Sequence, residues 1–166
     1  MKLLVLILIC LKSGCLIGQN YIGRDTGYYK ALNINAGYSY SFGDPLDKKF
    51  HILDLGINRS KYGGLRGGGF QYGIGSEFVL NSTTFTIGPK LSGIMYYQIL
   101  AFGLEIVTYT DFNQSTLRLA PLIGIGGDKF RLTINPHIRL TNKDFEPINR
   151  GLINLSVNLS LEREKD

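Results

Sequence analysis

The sequence predicts an all-β protein, an eight-stranded antiparallel up-and-down transmembrane β-barrel that follows a cleaved signal peptide. Three observations point there. In the last stretch Ile153, Leu155, Val157, Leu159 and Leu161 alternate with Asn154, Ser156, Asn158, Ser160 and Glu162. A period of two puts the first set on one strand face and the second on the other. Seven earlier stretches, each of about ten residues as a tilted membrane-spanning strand requires, repeat that alternation. The third observation is the chemistry of the polar face, which is Asn, Ser and Gly. A soluble sheet would carry more Lys, Glu and Thr there, whereas a narrow polar lumen suits small uncharged groups.

Residues 1–18 differ from the rest. Lys2 makes a short basic start, residues 3–11 are an unbroken apolar run, and residues 14–18 bring small side chains before Gln19. The run is shorter than the ~20 apolar residues of a spanning helix, so it reads as a secretory signal with cleavage after Gly18. Ser13-Gly14-Cys15 leaves a second possibility, lipidation of Cys15, against which Lys12 stands where such signals carry Leu. Removing 18 of 166 residues leaves a domain of 148, residues 19–166, and takes both cysteines, Cys10 and Cys15, with the leader. Such a domain has no disulfides and is held by its backbone ladder and packing. Loss of Lys2 and Lys12 lowers the basic count from 18 to 16 against 13 acids, and the net charge from +5 to +3. With Lys and Arg scattered, that balance argues against a nucleic-acid partner.

The strands follow in order. Residues 21–30, with Gly23, Gly27 and mixed charge, read as an irregular lead-in. In the first strand Leu32, Ile34, Ala36, Tyr38, Tyr40 and Phe42 alternate with Asn33, Asn35, Gly37, Ser39 and Ser41. After a turn at 43–49, residues 50–59 set Leu53, Leu55 and Ile57 against Asp54, Gly56 and Asn58. Residues 60–69 are a glycine-rich link, and no phosphate-loop pattern or helix accompanies it. The third strand, 70–80, opposes Phe70, Tyr72, Ile74, Phe78 and Leu80 to Gln71, Gly73, Gly75 and Glu77, the glycines making room for large neighbours inside. The fourth, 85–95, has Phe85, Ile87 and Leu91 outward with Thr86, Gly88, Lys90 and Ser92 inward. A tight turn at 96–98 leads to the fifth, 99–109, with Leu100, Phe102, Leu104 and Ile106 out, and Ala101, Gly103 and Glu105 in.

The sixth strand, 116–124, has Leu117, Leu119 and Ile123 out and Arg118 in. Gly126-Gly127-Asp128-Lys129 has hairpin-turn chemistry. The seventh, 130–141, sets Phe130, Leu132, Ile134, Ile138 and Leu140 against Arg131, Thr133, Asn135, His137 and Arg139, and residues 142–150 form a long loop. Closing first strand on last leaves no unpaired edge, as lipid requires. Tyr38, Tyr40, Phe42, Phe70, Tyr72, Phe85, Tyr96, Tyr97, Tyr109, Phe112 and Phe130 mostly fall near strand ends, where interface girdles sit. Pro89, Pro121 and Pro136 oppose a regular ladder, since each removes a donor, and they predict bulges or strand ends.

Three segments carry a resemblance: Gly18-Gln19-Asn20, Ile87-Gly88-Pro89-Lys90-Leu91, and Tyr109-Thr110-Asp111-Phe112 with Leu117-Arg118-Leu119-Ala120-Pro121. Together they resemble small, largely uncharacterised outer-membrane barrel proteins of Bacteroidetes-type bacteria. The resemblance implies an eight-stranded barrel in a Gram-negative outer membrane and transfers no catalytic residue. The chain ends Arg163-Glu164-Lys165-Asp166 where many such barrels end in an aromatic, which bears on how assembly machinery recognises it.

The expected lumen holds Asp54, Glu77, Lys90, Glu105, Arg118, Arg131, His137 and Arg139. Charges of both signs in a narrow barrel make a mutually satisfied structural network, because an unpaired buried charge is costly. The functional alternative is a small anionic ligand held by Arg118, Arg131 and Arg139. An eight-stranded interior is filled by side chains, so no large pore is expected. No catalytic residue, cofactor or metal ligand is expected: the histidines are only His51 and His137, and neither has a local nucleophile and orienting group. The expected role is structural or surface-interacting, with outer-membrane lipid, the assembly machinery and an unknown surface partner as contacts. The loops near Asp44, Ser82, Asn113 and Asp144 would be exposed, with the domain's start in the periplasm. Two alternatives remain: a periplasmic or lipid-tethered barrel binding an apolar ligand inside, with the two faces exchanged, and an outer-membrane lipid-modifying enzyme.

Overall fold

A computed structural model of the chain describes residues 27–43, 48–64, 67–142, 145 and 148–165. The expected leader at 1–18, with Cys15, and the loop residues Asp44 and Asp144 lie outside the described residues.

The strands are β1 (Tyr28–Phe42), β2 (His51–Gly63), β3 (Gly68–Val79), β4 (Thr86–Tyr97), β5 (Leu100–Thr110), β6 (Ser115–Gly126), β7 (Phe130–Pro136), β8 (Ile138–Arg139) and β9 (Gly151–Lys165). From β1 to β6 each pairs antiparallel with its sequence neighbour, β6 pairs with both β7 and β8, β7 pairs with β9, and β9 pairs with β1, so the sheet closes on itself. Strands β7 and β8 are one strand interrupted at His137, and the closed barrel therefore has eight staves. The loops β1–β2, β3–β4, β5–β6 and β8–β9 share one rim. The turns β2–β3, β4–β5 and β6–β7 share the other with the ends of β1 and β9.

The interruption has a covalent cause. Between the pairs Leu119↔Ile138 and Ile123↔Ile134, Pro121 and Pro136 fall opposite each other, and neither has an N–H to donate. The ladder opens there, and the His137 N–H turns to the Arg150 carbonyl at 2.6 Å. Pro89 leaves a smaller gap: β4 and β5 pair at Ile87↔Thr110 and again at Lys90↔Val107, with no pair between.

Alternation decides the two faces. Following the register around the wall, Ile34, Ile57, Ile74, Leu91, Ile106, Leu119 and Ile138 form one continuous outward row, which Leu159 joins from β9. On the inward parity Asn33, Asn35, Ser39, Ser41, Asn58, Asn154, Ser156 and Asn158 are buried. The outside is thus apolar and the inside polar, the reverse of a soluble fold. An apolar interior, which the exchanged-face alternative needs, is not the one found among the described residues, apart from a small apolar cluster near each rim.

Several expectations are corrected. The first strand begins at Tyr28, inside the expected lead-in, because β2 offers it a partner down to Gly63. The glycine-rich link is mostly strand among its described residues: the turn is seen at Gly64, with φ 78°, and at Gly67, with φ 62°, backbone that a side chain would strain. The β4–β5 turn is Gln98–Ile99 rather than 96–98. Tyr96 and Tyr109, counted with the girdle, point inward and are buried, since they share the parity of Ile94 and Glu105. In β9 the register slips between Leu32↔Glu162 and Asn33↔Ser160, leaving Leu161 unpaired as a bulge. Beyond it the parity reverses, so Glu162 faces outward, not into the lumen.

The interior glycines have a reason besides making room. A Cβ on Gly73 would lie 2.5 Å from the Ile57 carbonyl, and one on Gly124 2.0 Å from that of Leu132. A small barrel curves tightly, and on its concave side the staves come too close for any side chain at these points.

Candidate functional site

All eight lumen residues expected from the alternation carry inward parity, and all but Arg139 are buried. They do not form one network. Three tiers stack along the barrel axis.

Near the turn rim lies a tier of amides. Asn33 Nδ2 donates to Asn58 Oδ1 (2.9 Å) and Ser60 Oγ (3.1 Å), and Ser160 Oγ donates to Asn33 Oδ1 (2.6 Å). Asn35 and Asn58 each donate to Asn158 Oδ1 at 3.0 Å. Asn158 in turn donates to Gln71 Oε1 at 3.0 Å and to the Asp128 carbonyl at 2.6 Å, tying the β6–β7 turn to the lumen. Tyr96 OH donates to Gln71 Oε1 at 2.9 Å, and Arg131 Nη1 donates to Tyr96 OH at 3.3 Å. Strands β1, β2, β3, β4, β7 and β9 are thereby laced together across the barrel rather than only around it. Ile94, Tyr96, Ala101 and Leu122, with Tyr62 edge-on to Tyr96 at 5.8 Å, close this end.

The middle tier is ionic. Asp54 and Glu77 are direct cross-strand partners, an arrangement in which like charges repel. Lys90, one ladder row away beside Gly75, reaches between them: its Nζ lies 2.9 Å from Asp54 Oδ2, 2.9 Å from Glu77 Oε1 and 3.3 Å from Glu105 Oε1. Gly56 and Gly75, adjacent in that row, leave the side chain its path. The remaining oxygens are mostly met: Asn135 Nδ2 donates to Glu105 Oε2 at 2.9 Å, and Tyr109 OH donates to Glu77 Oε2. Between this tier and the amides the cavity bounded by Asn35, Asp54, Asn58, Lys90 and Arg131 is only about 10 Å³, the room of about one water.

The third tier seals the loop rim. Arg118, with no solvent exposure, extends its guanidinium to three carbonyls of the β8–β9 loop: Nη1 to Asn149 O (2.8 Å), and Nη2 to Ile148 O (3.1 Å) and Phe145 O (3.3 Å). The same guanidinium lies 5.4 Å from the centroid of the Tyr109 ring. Asn149 Nδ2 donates to Ser41 Oγ at 3.0 Å and to the Lys48 carbonyl at 2.5 Å. Held so, Phe145 and Ile148 pack on Phe50, Ile52, Val79, Val107, Tyr109 and Leu152 and form an apolar stopper. The loop expected to be exposed near Asp144 thus sends Phe145, Ile148 and Asn149 into the barrel mouth. Its apolar Phe145 and Ile148 were the signal for this, but only the arginine beneath explains why the loop turns in.

His137 stacks on Tyr109 at 5.9 Å, and neither ring nitrogen meets a hydrogen-bond partner. His51 contacts Tyr38 OH, with the Tyr40 ring 5.6 Å away edge-on. Neither imidazole is hydrogen-bonded to a serine among the described residues. No group of three His, Cys, Asp or Glu is placed to hold a metal ion among them either. The arginines expected together as an anion site are divided: Arg118 and Arg139 are register partners near the loop rim, while Arg131 belongs with Tyr96 toward the other end. Laced amides, a lysine amid carboxylates and a clamped stopper make this interior a rigid filling. Comparison of the chain with protein-family models, with curated proteins and with solved structures returns no match.

Proposed function

We propose that this chain is an integral β-barrel of a Gram-negative outer membrane with a structural or surface-interaction role, neither an enzyme nor a conducting pore. The observation that carries the reading is the reversed polarity: a continuous wall of exposed Ile, Leu, Val, Phe and Tyr outside, and hydrogen-bonded Asn, Ser and charge inside. In water that wall is an aggregation surface far larger than a soluble monomer tolerates. In a bilayer it is the required exterior, and closure of the sheet leaves no free edge strand toward lipid. Filling by side chains argues against conduction.

By the usual orientation of such barrels the short turns and chain ends lie in the periplasm, and the stoppered rim faces outward. Lipid is then the principal contact of the wall, and the assembly machinery is its partner during insertion. Surface interaction falls to the outer rim, where Phe85 and Phe112 stack at 6.1 Å on neighbouring loops. The test is gel mobility of membrane-extracted protein with and without boiling, together with extraction of the membranes at alkaline pH. A heat-dependent shift and retention in the membrane pellet are expected. Release as a soluble protein with no shift overturns the proposal.

A further inference from the structure

We infer that the cavity between the amide tier and the ionic tier is a hydration site, in which a resident water donates a hydrogen bond to Asp54 Oδ1. The inference goes beyond the membrane reading and concerns the lumen alone. Asp54 is 1% exposed; its Oδ2 is taken by Lys90, while its Oδ1 meets no hydrogen-bond partner among the described residues. A buried carboxylate oxygen left so is costly. It is costlier here, because three carboxylates share one ammonium and Asp54 faces Glu77 across the ladder. The cavity that Asp54 borders, of about 10 Å³, has room for about one water.

The lining selects water rather than an ion. Gln71, also 1% exposed, borders the cavity from the amide tier, and its Nε2 likewise meets no partner among the described residues. Its orientation is set: Gln71 Oε1 accepts from Tyr96 OH and from Asn158 Nδ2, and Asn158 cannot be turned over because its Oδ1 already accepts from Asn35 and Asn58. An acceptor thus borders the space from one tier and a donor from the other, with Lys90 and Arg131 also on its boundary. A cation would face that donor and two basic groups, and an anion would face the carboxylate. Water, which both donates and accepts, suits the whole lining. Nor can the chain fill the space itself. Gly56, Gly73 and Gly75 border it, and a Cβ on them would lie 2.7, 2.5 and 2.7 Å from a carbonyl oxygen of the facing strand. The curvature that excludes side chains at these points leaves room beside a carboxylate oxygen, and water is the group that fits it.

The test is a crystal structure of the detergent-folded protein that resolves ordered water, from crystals grown once in sodium salt and once in rubidium salt. A peak within about 3.2 Å of Asp54 Oδ1 is expected in both, with no anomalous signal from rubidium. A dry cavity, or one that takes up rubidium, overturns the inference. Stability supplies a second arm through Ser92, which borders the cavity at an inward position. Ser92→Ala removes only the hydroxyl, whereas Ser92→Val also brings two methyl groups into the space. In a dry cavity that filling stabilises, and the strand preference of valine adds to the gain. With water displaced and Asp54 Oδ1 stranded, the folding equilibrium constant of Ser92→Val should instead fall about tenfold below that of Ser92→Ala. Unfolding in guanidinium followed by circular dichroism reads the difference, and crystals of Ser92→Val should lack the peak. A valine variant as stable as the alanine one, or more so, overturns the inference, and the parent crystal decides the matter if the valine variant fails to fold.

Discussion

Replacing Lys90 by methionine removes the one ammonium that stands among Asp54, Glu77 and Glu105 while keeping the length of the side chain. At an effective dielectric of about 20, a unit charge pair at the observed 2.9 Å is worth about 6 kcal/mol and one at 3.3 Å about 5 kcal/mol. These are gross values, and most is offset by the cost of taking four charged groups out of water. What remains on removal of the lysine is three buried carboxylates, two of them direct cross-strand partners, with no cation between them. Removing one member of a buried ionic set costs about 3–5 kcal/mol, and Lys90→Met is expected at the upper end. Glu105→Gln makes the contrast. Its carboxylate is the most distant of the three and is already met by Asn135, and the cluster holds more acid than base, so a neutral isostere should cost under about 1 kcal/mol. The two changes are not additive: in the Lys90→Met background, Glu105→Gln should restore stability, since it removes an uncompensated charge. The chain has no tryptophan, so unfolding in guanidinium is followed by far-ultraviolet circular dichroism of protein folded into detergent or vesicles. A Lys90→Met protein within 1 kcal/mol of the parent, or equal costs for the two single changes, would refute the reasoning that the lysine neutralises this cluster.

Three further outcomes are expected. Arg118→Met removes three charge-assisted hydrogen bonds to loop carbonyls, and a loss of about 3 kcal/mol is expected. The released 142–150 loop should then be cut by trypsin, read by mass spectrometry, while the parent stays intact under the same exposure. Gly124→Ala puts a Cβ 2.0 Å from the Leu132 carbonyl and 2.6 Å from the Thr133 Cα, so β6 and β7 must part at a cost of about 3 kcal/mol, checked as loss of the heat-dependent gel shift. Ile74→Arg, on an outward residue 64% exposed, should cost about 2–4 kcal/mol for protein folded into vesicles if that wall meets hydrocarbon. An unchanged unfolding midpoint in vesicles would count against the lipid-facing assignment.

Strand existence and facing were legible in the sequence because alternation is a local property: in Ile153 to Asn158 each residue announces its side without reference to any partner. The same holds for Asp54, Glu77, Lys90, Glu105, Arg118, Arg131 and His137, all inward as their parity requires. Local pattern failed where a partner strand decided. Tyr28, Tyr29 and Lys30 are strand because β2 continues opposite them, and the glycines at 67–69 are mostly strand because β4 reaches Tyr97. Tyr96 and Tyr109 have composition suited to a girdle and parity suited to the lumen, and parity won. Glu162 obeyed neither, because one unpaired residue reverses every side chain beyond it and nothing local marks Leu161 as that residue.

By itself, then, the sequence determined an all-β chain of strands with one apolar and one polar face, and the residues on each. Alternation alone could not determine which face is inside, since it is symmetric; the small Asn, Ser and Gly residues of the polar face pointed to the lumen, and the closed sheet has that face inward. The tertiary structure also decided who meets whom. Register sets Lys90 between Asp54 and Glu77, separates Arg131 from Arg118, and brings Arg118 under the β8–β9 loop so that its carbonyls have a cation to bind. These contacts join residues far apart in the chain. They depend on the stagger of eight staves around a closed wall, a property of the ring and not of any one stretch in it.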